Sequence, residues 1–329
     1  MRKGRSWLAG LLLVFFFFSQ VFSTGCGKKD TKVLRIRVGF FPNVTHSVPI
    51  VGLEKGIFQK HLGKEAVVET RIFTAGPALM EALNAGEVDI GYVGPVPVVN
   101  SYAQGSDVKV VAGACNGGSL LVYRLGSGIR QVRDLAGKRV GVPQLANTQD
   151  LLLRHVLEEA GLKDSNRGGT VQIVQVTPAD LYPLFRRGEV DAALVAEPWG
   201  SWLKEKGIAG ILLDWKSIWA EGRYPTTVVA VRGDFYRQNS SLVDRWLAGH
   251  RETVEFITAS REEAGDILVQ ALKRLTGQEM DKKTILNTLQ TCQPVWEVKE
   301  EFIEAFARLA YRNGYLRGMP DLQGLLAKR

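Results

Sequence analysis

Cysteine and histidine are scarce in this 329-residue chain, which holds three cysteines and four histidines. Cys26, Cys115 and Cys292 form no CxxC pair and lie near no histidine cluster, whereas structural metal sites need closely spaced ligands of these types. No metal and no other cofactor is therefore expected. Whether Cys115 and Cys292 pair in a disulfide stays open, because one sequence does not establish that their Cα atoms are close.

Blocks of like charge are also missing. The 42 Lys and Arg residues are scattered among 34 Asp and Glu residues, a pattern that argues against a nucleic-acid partner. No GxxxxGK[ST] loop occurs, so this chain does not itself carry the phosphate-binding loop of an ATPase. No pair of nucleophile and base is discernible, and an enzyme is not expected.

The long apolar run is confined to the start of the chain. A basic segment precedes an apolar stretch over residues 8–18, and Ser23-Thr24-Gly25-Cys26 follows. This pattern predicts a signal peptide over residues 1–25 and resembles the lipobox of a bacterial lipoprotein, in which Cys26 is diacylated and becomes the mature N-terminus. Residues 26–32 then form a polar tether. A plain secretory signal with unmodified Cys26 is the alternative, and a membrane-spanning anchor is disfavoured because a span needs about 20 apolar residues.

One tetrapeptide occurs twice, 102 residues apart, as Gly86-Glu87-Val88-Asp89 and Gly188-Glu189-Val190-Asp191. Val38-Gly39 returns as Val140-Gly141 at the same offset. Each copy has the pattern of a strand, a polar turn, a helix, a second strand, a short helix and a third strand, which predicts βαβ units with parallel sheets. Two such copies predict two α/β lobes with a ligand cleft beyond the carboxyl ends of their strands.

Three turns that enter helices at this cleft are candidate anion sites, because helix N-termini present unpaired N–H groups and a partial positive charge. Two of these turns correspond to each other at the 102-residue offset, and the third follows the first copy of the tetrapeptide. Each polar residue alone is also a good helix cap, and His46 alone is expected to shape its turn. Their joint placement after corresponding strands favours binding. The candidates are Asn43, Thr45, His46, Gly94, Pro95, Asn147, Thr148 and Gln149.

A fourth candidate is Glu197-Pro198-Trp199, which follows the second copy of the tetrapeptide. Pro198 suits the first position of a helix, which places Glu197 near the N-cap and Trp199 at the edge of the cleft. Trp199 is expected to pack against the organic part of a ligand, and Glu197 to orient the pocket or meet an amino group. The alternatives are a capping role for Glu197 and a core position for Trp199.

These motifs occur together and in a fixed order from about Leu34 to about Tyr315. In that order they resemble the extracytoplasmic solute-binding proteins of ABC transporters for aliphatic sulfonates, taurine and nitrate. The motifs that carry the resemblance are Phe41-Pro42-Asn43-Val44-Thr45-His46, Gly91-Tyr92-Val93-Gly94-Pro95, Pro143-Gln144-Leu145-Ala146-Asn147-Thr148-Gln149-Asp150, Glu197-Pro198-Trp199 and Tyr224-Pro225-Thr226-Thr227.

The resemblance implies an α/β, two-lobed type II periplasmic-binding-protein fold whose lobes are joined by two crossover strands, near Ser119 to Arg124 and Tyr224 to Val231. Lobe 1 then comprises residues 33–119 plus 225–329, and lobe 2 comprises residues 120–224. Amphipathic stretches in the last hundred residues predict helices that belong to lobe 1.

The resemblance also implies a function. A monomeric, lipid-anchored protein outside the cytoplasm captures a small organic anion by lobe closure and delivers it to a membrane permease driven by a separate ATPase. An alkane sulfonate or taurine is the first expectation, because a sulfonate keeps its charge and suits neutral N–H and hydroxyl donors. Nitrate, bicarbonate or a thiamine-pyrimidine precursor is the alternative ligand, and a membrane sensor is the alternative partner. The related pyrimidine-synthesising enzymes carry a cysteine-rich segment that this chain lacks.

Overall fold

The computed structural model describes residues 33–327. The predicted signal peptide, tether and lipidation site at Cys26 lie outside the described residues. The strands are β1 Leu34–Phe40, β2 Ala66–Ile72, β3 Ile90–Val93, β4 Val108–Gly117, β5 Ser119–Arg124, β6 Arg139–Val142, β7 Gln172–Gln175, β8 Ala192–Ala196, β9 Ala209–Leu213, β10 Pro225–Arg232 and β11 Cys292–Pro294.

Helices alternate with these strands and then form a helical C-terminal part. The helices are α1 Ser47–Glu54, α2 Ile57–Leu62, α3 Gly76–Asn84, α4 Pro95–Ala103, α5 Thr148–Glu159, α6 Leu181–Arg187, α7 Trp199–Glu205, α8 Trp215–Ile218, α9 Gly233–Gln238, α10 Ser240–Ala259, α11 Arg261–Thr276, α12 Lys282–Thr291 and α13 Glu300–Arg312. No helix within residues 33–327 is both long and apolar enough to cross a membrane.

The strands form two sheets, each the centre of one lobe. The sheet of the first lobe has the order β11-β4-β10-β3-β1-β2, and that of the second lobe has the order β7-β6-β8-β5-β9. The chain enters the second sheet at Gly118, between β4 and β5, and returns to the first sheet before β10. The two predicted crossover strands are therefore β5 and β10, each the first strand after a crossing.

The internal repeat is also a repeat of strand pairing. Val38 of β1 lies opposite Ile90 of β3 in a parallel pair, and Val140 of β6 lies opposite Ala192 of β8 in another. Both residues of the second pair are displaced by 102 from those of the first. The central strands β3 and β8 are buried along their whole length. Each also pairs antiparallel with a crossover strand, β3 with β10 and β8 with β5, so the two sheets are mixed and not the parallel sheets that the sequence predicted. The predicted two-lobed α/β fold is confirmed.

The aspartate that ends the repeated tetrapeptide has the same place in both lobes. Asp89 Oδ2 accepts a hydrogen bond from the backbone N of Arg37 at 2.8 Å, and Asp191 Oδ2 accepts one from the backbone N of Arg139 at 3.0 Å. The backbone N of each aspartate donates in return to the carbonyl of the same arginine. Each carboxylate therefore fixes the start of one central strand against its neighbour, which explains why the aspartate recurs.

The C-terminal helices pack on the first lobe. Trp246 of α10 stacks on Phe58 of α2, with ring centroids 3.9 Å apart, and its Nε1 donates to the hydroxyl of Tyr92 in β3. Helix α13 packs on α4. Beyond α13 the chain returns to β4, where the backbone N of Val110 donates to the carbonyl of Leu325 at 2.8 Å. The amphipathic stretches predicted from the sequence are α10, α11 and α13.

Candidate binding cleft

A narrow cavity of about 30 Å³ lies where helix-entering turns of the two lobes face each other. This volume is well below the roughly 300 to 1,000 Å³ that small-molecule sites commonly enclose, so the two lobes lie close together in this structure. The first lobe contributes Asn43, Thr45, His46, Thr74, Gly76, Gly94 and Thr226, and the second contributes Pro143, Asn147, Thr148, Gln149, Pro178 and Trp199. All the sequence-predicted site residues except Pro95 and Glu197 line this cavity.

The first turn is held by its own side chains. Asn43 Oδ1 accepts hydrogen bonds from the backbone N of Thr45 at 3.0 Å and from its Oγ1 at 2.7 Å. His46 Nδ1 accepts from the backbone N of Phe41, which places the imidazole proton on Nε2. Burial lowers the pKa of His46 to about 3, so the ring is a neutral donor in the cavity wall at any ordinary working pH.

The second turn leaves one donor unused. Asn147 Oδ1 accepts from the backbone N of Asp150 at 2.8 Å and so caps α5. Thr148 lines the same cavity and is 1% exposed. Its Oγ1 is buried and has no hydrogen-bond partner within residues 33–327. Leaving a buried hydroxyl unpaired costs about 1 to 3 kcal/mol. An acceptor group in the cavity would remove that cost.

Gly94 and Thr148 bring the lobes together. A Cβ atom built on Gly94 would lie 2.2 Å from Thr148 Oγ1 and 3.1 Å from its Cβ. Gly94 has a φ of −65°, a value open to any residue, so glycine is required here by space rather than by backbone conformation. The sequence-based expectation for Gly94 is close approach of a ligand, and what the structure shows is close approach of Thr148 from the opposite lobe.

Glu197 differs from its sequence-based placement. Helix α7 begins at Trp199, Pro198 occupies the N-cap position, and the Glu197–Pro198 peptide is cis. The Glu197 carboxylate accepts from Ser201 N at 3.1 Å and from Ser201 Oγ at 2.7 Å, which satisfies an orphan donor in the first turn of α7. The side chain therefore faces the helix and not the cavity. Burial raises its pKa to about 7.

The backbone of Glu197 links the two lobes. Its N donates to the carbonyl of Gly118, at the crossing between sheets, and its carbonyl accepts from the backbone N of Val44 in the first lobe at 2.9 Å. Trp199 follows two residues later, lines the cavity, and is 4% exposed. Its ring meets the Trp202 ring edge-on, with centroids 5.8 Å apart.

Two cavity-lining segments were missed from the sequence. Thr74 to Gly76 opens α3 after β2, and Pro178 opens the short 3-10 turn before α6 after β7. Gly76 and Pro178 are themselves 102 residues apart, so applying the repeat to the second turn of each copy would have found both. Thr226 lies in the motif Tyr224-Pro225-Thr226-Thr227 and was not predicted to bind, yet it lines the cavity. Its Oγ1 donates to the carbonyl of Gly117 at 2.7 Å.

The described wall of the cavity contains helix N-termini and no charged side chain. Among the described residues that line it, none is a Lys, Arg, Asp or Glu. Helices α3, α4 and α5 all begin at its wall, and a helix N-terminus carries roughly half a positive charge together with free N–H donors. The wall therefore combines a positive field with neutral donors at Thr148 and His46.

The amino-acid sequence is similar to a known family and to several known proteins. Residues 29–273 match the NMT1-like family. The chain belongs to that family. A Brucella abortus (strain 2308) protein that is named as a binding protein is 30% identical over 289 residues. These residues are 87% of this chain and 84% of the relative. A Bacillus subtilis protein named for binding aliphatic sulfonates is 28% identical over 301 residues, 91% of this chain and 85% of that one.

Solved structures confirm the fold of this NMT1-like chain. The alkanesulfonate-binding protein of Xanthomonas axonopodis pv. citri, solved bound to MOPS, superposes with a TM-score of 0.75 at 22% identity. The match covers 90% of this chain and 98% of that protein. At this identity the likeness establishes the fold alone, which is that of periplasmic binding proteins.

Proposed function

We propose that this chain is the solute-binding lipoprotein of an ABC importer and that it captures a small organic anion, an alkane sulfonate or taurine, between its lobes. The observation that carries the proposal is the unpaired hydroxyl of Thr148, a residue that lines a cavity with helix N-termini and with no formal charge among the described lining residues. The names of the Bacillus subtilis relative and of the Xanthomonas structure support the same ligand class.

A sulfonate fits such a wall for a chemical reason. It stays ionised at any working pH and offers only acceptors, so donors that are themselves neutral match it without the desolvation cost of a buried cation. Phosphates change protonation near neutral pH, and carboxylates and phosphates are more often met by Arg or Lys. The neutral donor set, which includes the uncharged His46, therefore favours a strong-acid anion.

The wall also offers apolar surface for an organic tail. Trp199 and the prolines Pro97 and Pro178 line the cavity beside the polar turns, and each CH₂ buried there adds about 0.8 kcal/mol. This surface favours an alkane sulfonate over nitrate or bicarbonate, which have no tail. Because the Glu197 carboxylate faces Ser201, the ammonium of taurine has no carboxylate partner in the described wall, and ethanesulfonate is the better match.

The remaining parts of the proposal follow from the family and from the N-terminal segment. Cys26 is the lipid attachment site, residues 33–119 with 225–329 and residues 120–224 are the two lobes, and the partners are a permease and a separate ATPase. The protein acts as a monomer outside the cytoplasm.

A ligand panel tests the proposal. The mature chain, with Cys26→Ser so that it stays in solution, is titrated by calorimetry with ethanesulfonate, taurine, nitrate and bicarbonate. Ethanesulfonate should bind most tightly, and the melting temperature should rise with the logarithm of its excess over Kd. A panel in which nitrate or bicarbonate binds best would overturn the sulfonate assignment and leave the anion cleft without its proposed ligand.

A further inference from the structure

Asp150 stabilises the cavity-lining turn of the second lobe. This residue is fully buried, and its Oδ2 accepts from the backbone N of Ala146 at 2.8 Å. Ala146 has a φ of +60°, in the left-handed region that residues with a Cβ rarely adopt. The turn that carries Asn147 and Thr148 into the cavity therefore has a disfavoured backbone conformation, and the Asp150 carboxylate holds it there.

Asp150 is itself held by the other lobe. The hydroxyl of Tyr315 donates to Asp150 Oδ2, the same oxygen that accepts from Ala146. Tyr315 lies just beyond α13, which packs on α4, and the chain that follows pairs with β4. Tyr315 thus belongs to the first lobe and Asp150 to the second. This contact joins residues 165 apart in sequence.

Arg154 completes the cluster on the far side of Asp150. Its Nε donates to Asp150 Oδ1 at 3.0 Å, its Nη1 donates to Asp164 Oδ2 at 2.5 Å, and its guanidinium lies 5.2 Å from the centroid of the Tyr315 ring. The carboxylate therefore keeps a cation and a backbone donor even without Tyr315. The Tyr315 hydroxyl is the one donor to it that comes from the first lobe among the described contacts.

We infer that Tyr315 is a positioning residue for ligand binding: across the lobe junction it steadies Asp150, and through Asp150 it holds the turn at Ala146 to Thr148 in its binding conformation. Neither Tyr315 nor Asp150 lines the cavity. The choice of ligand rests on the proposed function, whereas the contacts among Tyr315, Asp150 and Ala146 do not depend on it. It makes the ligand turn of one lobe dependent on the presence of the other.

The test variant is Tyr315→Phe, which removes the hydroxyl and keeps the ring against Arg154. The matched control is Arg167→Ala. Arg167 Nη1 donates to Asn313 Oδ1 and its Nη2 to the carbonyl of Arg312 at 3.0 Å, so it joins the same two parts of the molecule without contacting the ligand turn. Both variants are made in the mature chain with Cys26→Ser.

Amide hydrogen exchange of ligand-free protein is the first measurement. In Tyr315→Phe, the peptide covering residues 145–150 should exchange about 10-fold faster than in the parent protein, as expected for loss of a hydrogen bond to a charged group. Arg167→Ala should leave that peptide unchanged. Unchanged exchange in Tyr315→Phe overturns the inference whatever the ligand proves to be.

Affinity for ethanesulfonate, measured by calorimetry, is the second measurement. Tyr315→Phe should weaken binding about 10-fold, and Arg167→Ala by less than 2-fold. Adding Ala146→Gly to Tyr315→Phe should restore much of the loss, because glycine adopts a positive φ without strain. A lower melting temperature with unchanged affinity overturns the inference. Faster exchange in a protein that binds none of the panel refutes the sulfonate proposal and leaves the positioning role intact.

Discussion

Thr148 Oγ1 lies so close to Gly94, across the cleft, that a Cβ on the glycine would be 2.2 Å from it. The lobes approach each other here through a hydroxyl on one side and a bare backbone on the other. The same hydroxyl has no hydrogen-bond partner in the described part of the chain. One residue pair therefore sets both the closeness of the lobes and the position of an unused donor.

Gly94→Ala should hold the lobes apart. The added methyl meets the Thr148 hydroxyl and Cβ, neither of which is a flexible chain end, so closure is hindered and ligand affinity should fall by about 10-fold or more. Gly318→Ala is the control, because a Cβ at Gly318 meets nothing within 4 Å. Calorimetry with ethanesulfonate checks both. Equal affinity of the two variants would show that the lobes need not approach this closely.

Thr148→Val should separate affinity from stability. Losing a hydrogen bond to a charged ligand costs about 1.5 to 3 kcal/mol, so binding should weaken roughly 10- to 100-fold. The ligand-free melting temperature should stay the same or rise, since an unpaired buried hydroxyl is removed. Thr253→Val is the contrasting control: its Oγ1 donates to the carbonyl of Gly249 within α10 at 2.7 Å, so stability should fall while affinity does not. Unchanged affinity of Thr148→Val would mean that the turn only caps α5.

Trp199 should set the preference for chain length. If an alkyl tail packs on its ring, affinity should rise with each added CH₂ by about 0.8 kcal/mol until the cavity is full. Trp199→Phe should flatten that series from methanesulfonate to butanesulfonate. Trp246→Phe removes a buried tryptophan that neither lines the cavity nor packs on Trp199 and should preserve the slope. A thermal-shift series distinguishes the two, and equal slopes would remove Trp199 from the tail site.

Glu197→Gln should change how stability depends on pH. Burial raises the pKa of Glu197 from its ordinary value of 4.5 to about 7, so between these values the folded state binds more protons than the unfolded state. The carboxyl then contributes a stability that is full below pH 4.5 and lost as the pH rises to 7, by up to about 3 kcal/mol.

The glutamine variant has no such titration. Its melting temperature relative to the parent protein should therefore rise between pH 5 and pH 7.5 and level off above that. Because the Glu197 carboxylate contacts Ser201 and not the cavity, the ranking of ethanesulfonate over taurine should be the same in both proteins. A difference in melting temperature that does not vary with pH would show that the carboxylate is ionised throughout.

Cys26→Ser in the full-length chain should release the protein from the membrane. A diacylated cysteine supplies the two hydrophobic chains that stable attachment requires, whereas one chain binds only marginally. When cells that express each form are fractionated, the variant should be found in the soluble extracytoplasmic fraction. If the variant stays with the membrane, the anchor is not the lipid on Cys26.

The sequence by itself determined the repeated α/β scheme. Strands and helices follow from the local period of apolar residues. The 102-residue offset that relates Asp89 to Asp191 also relates the strand pair Val38–Ile90 of the first lobe to the pair Val140–Ala192 of the second. The turns at Asn43 and Asn147 were also predictable, because a polar residue between a strand and a helix has few other roles.

The tertiary structure alone decided which way the side chains of those turns face. Sequence left open whether Glu197 enters the pocket, and the position of Ser201 four residues on turns it into α7. The approach of Gly94 to Thr148 and the hydrogen bond from Tyr315 to Asp150 join segments of different lobes. Such contacts depend on how the two lobes pack, and local periodicity carries no record of that packing, because it reports only which face of a single strand or helix is apolar.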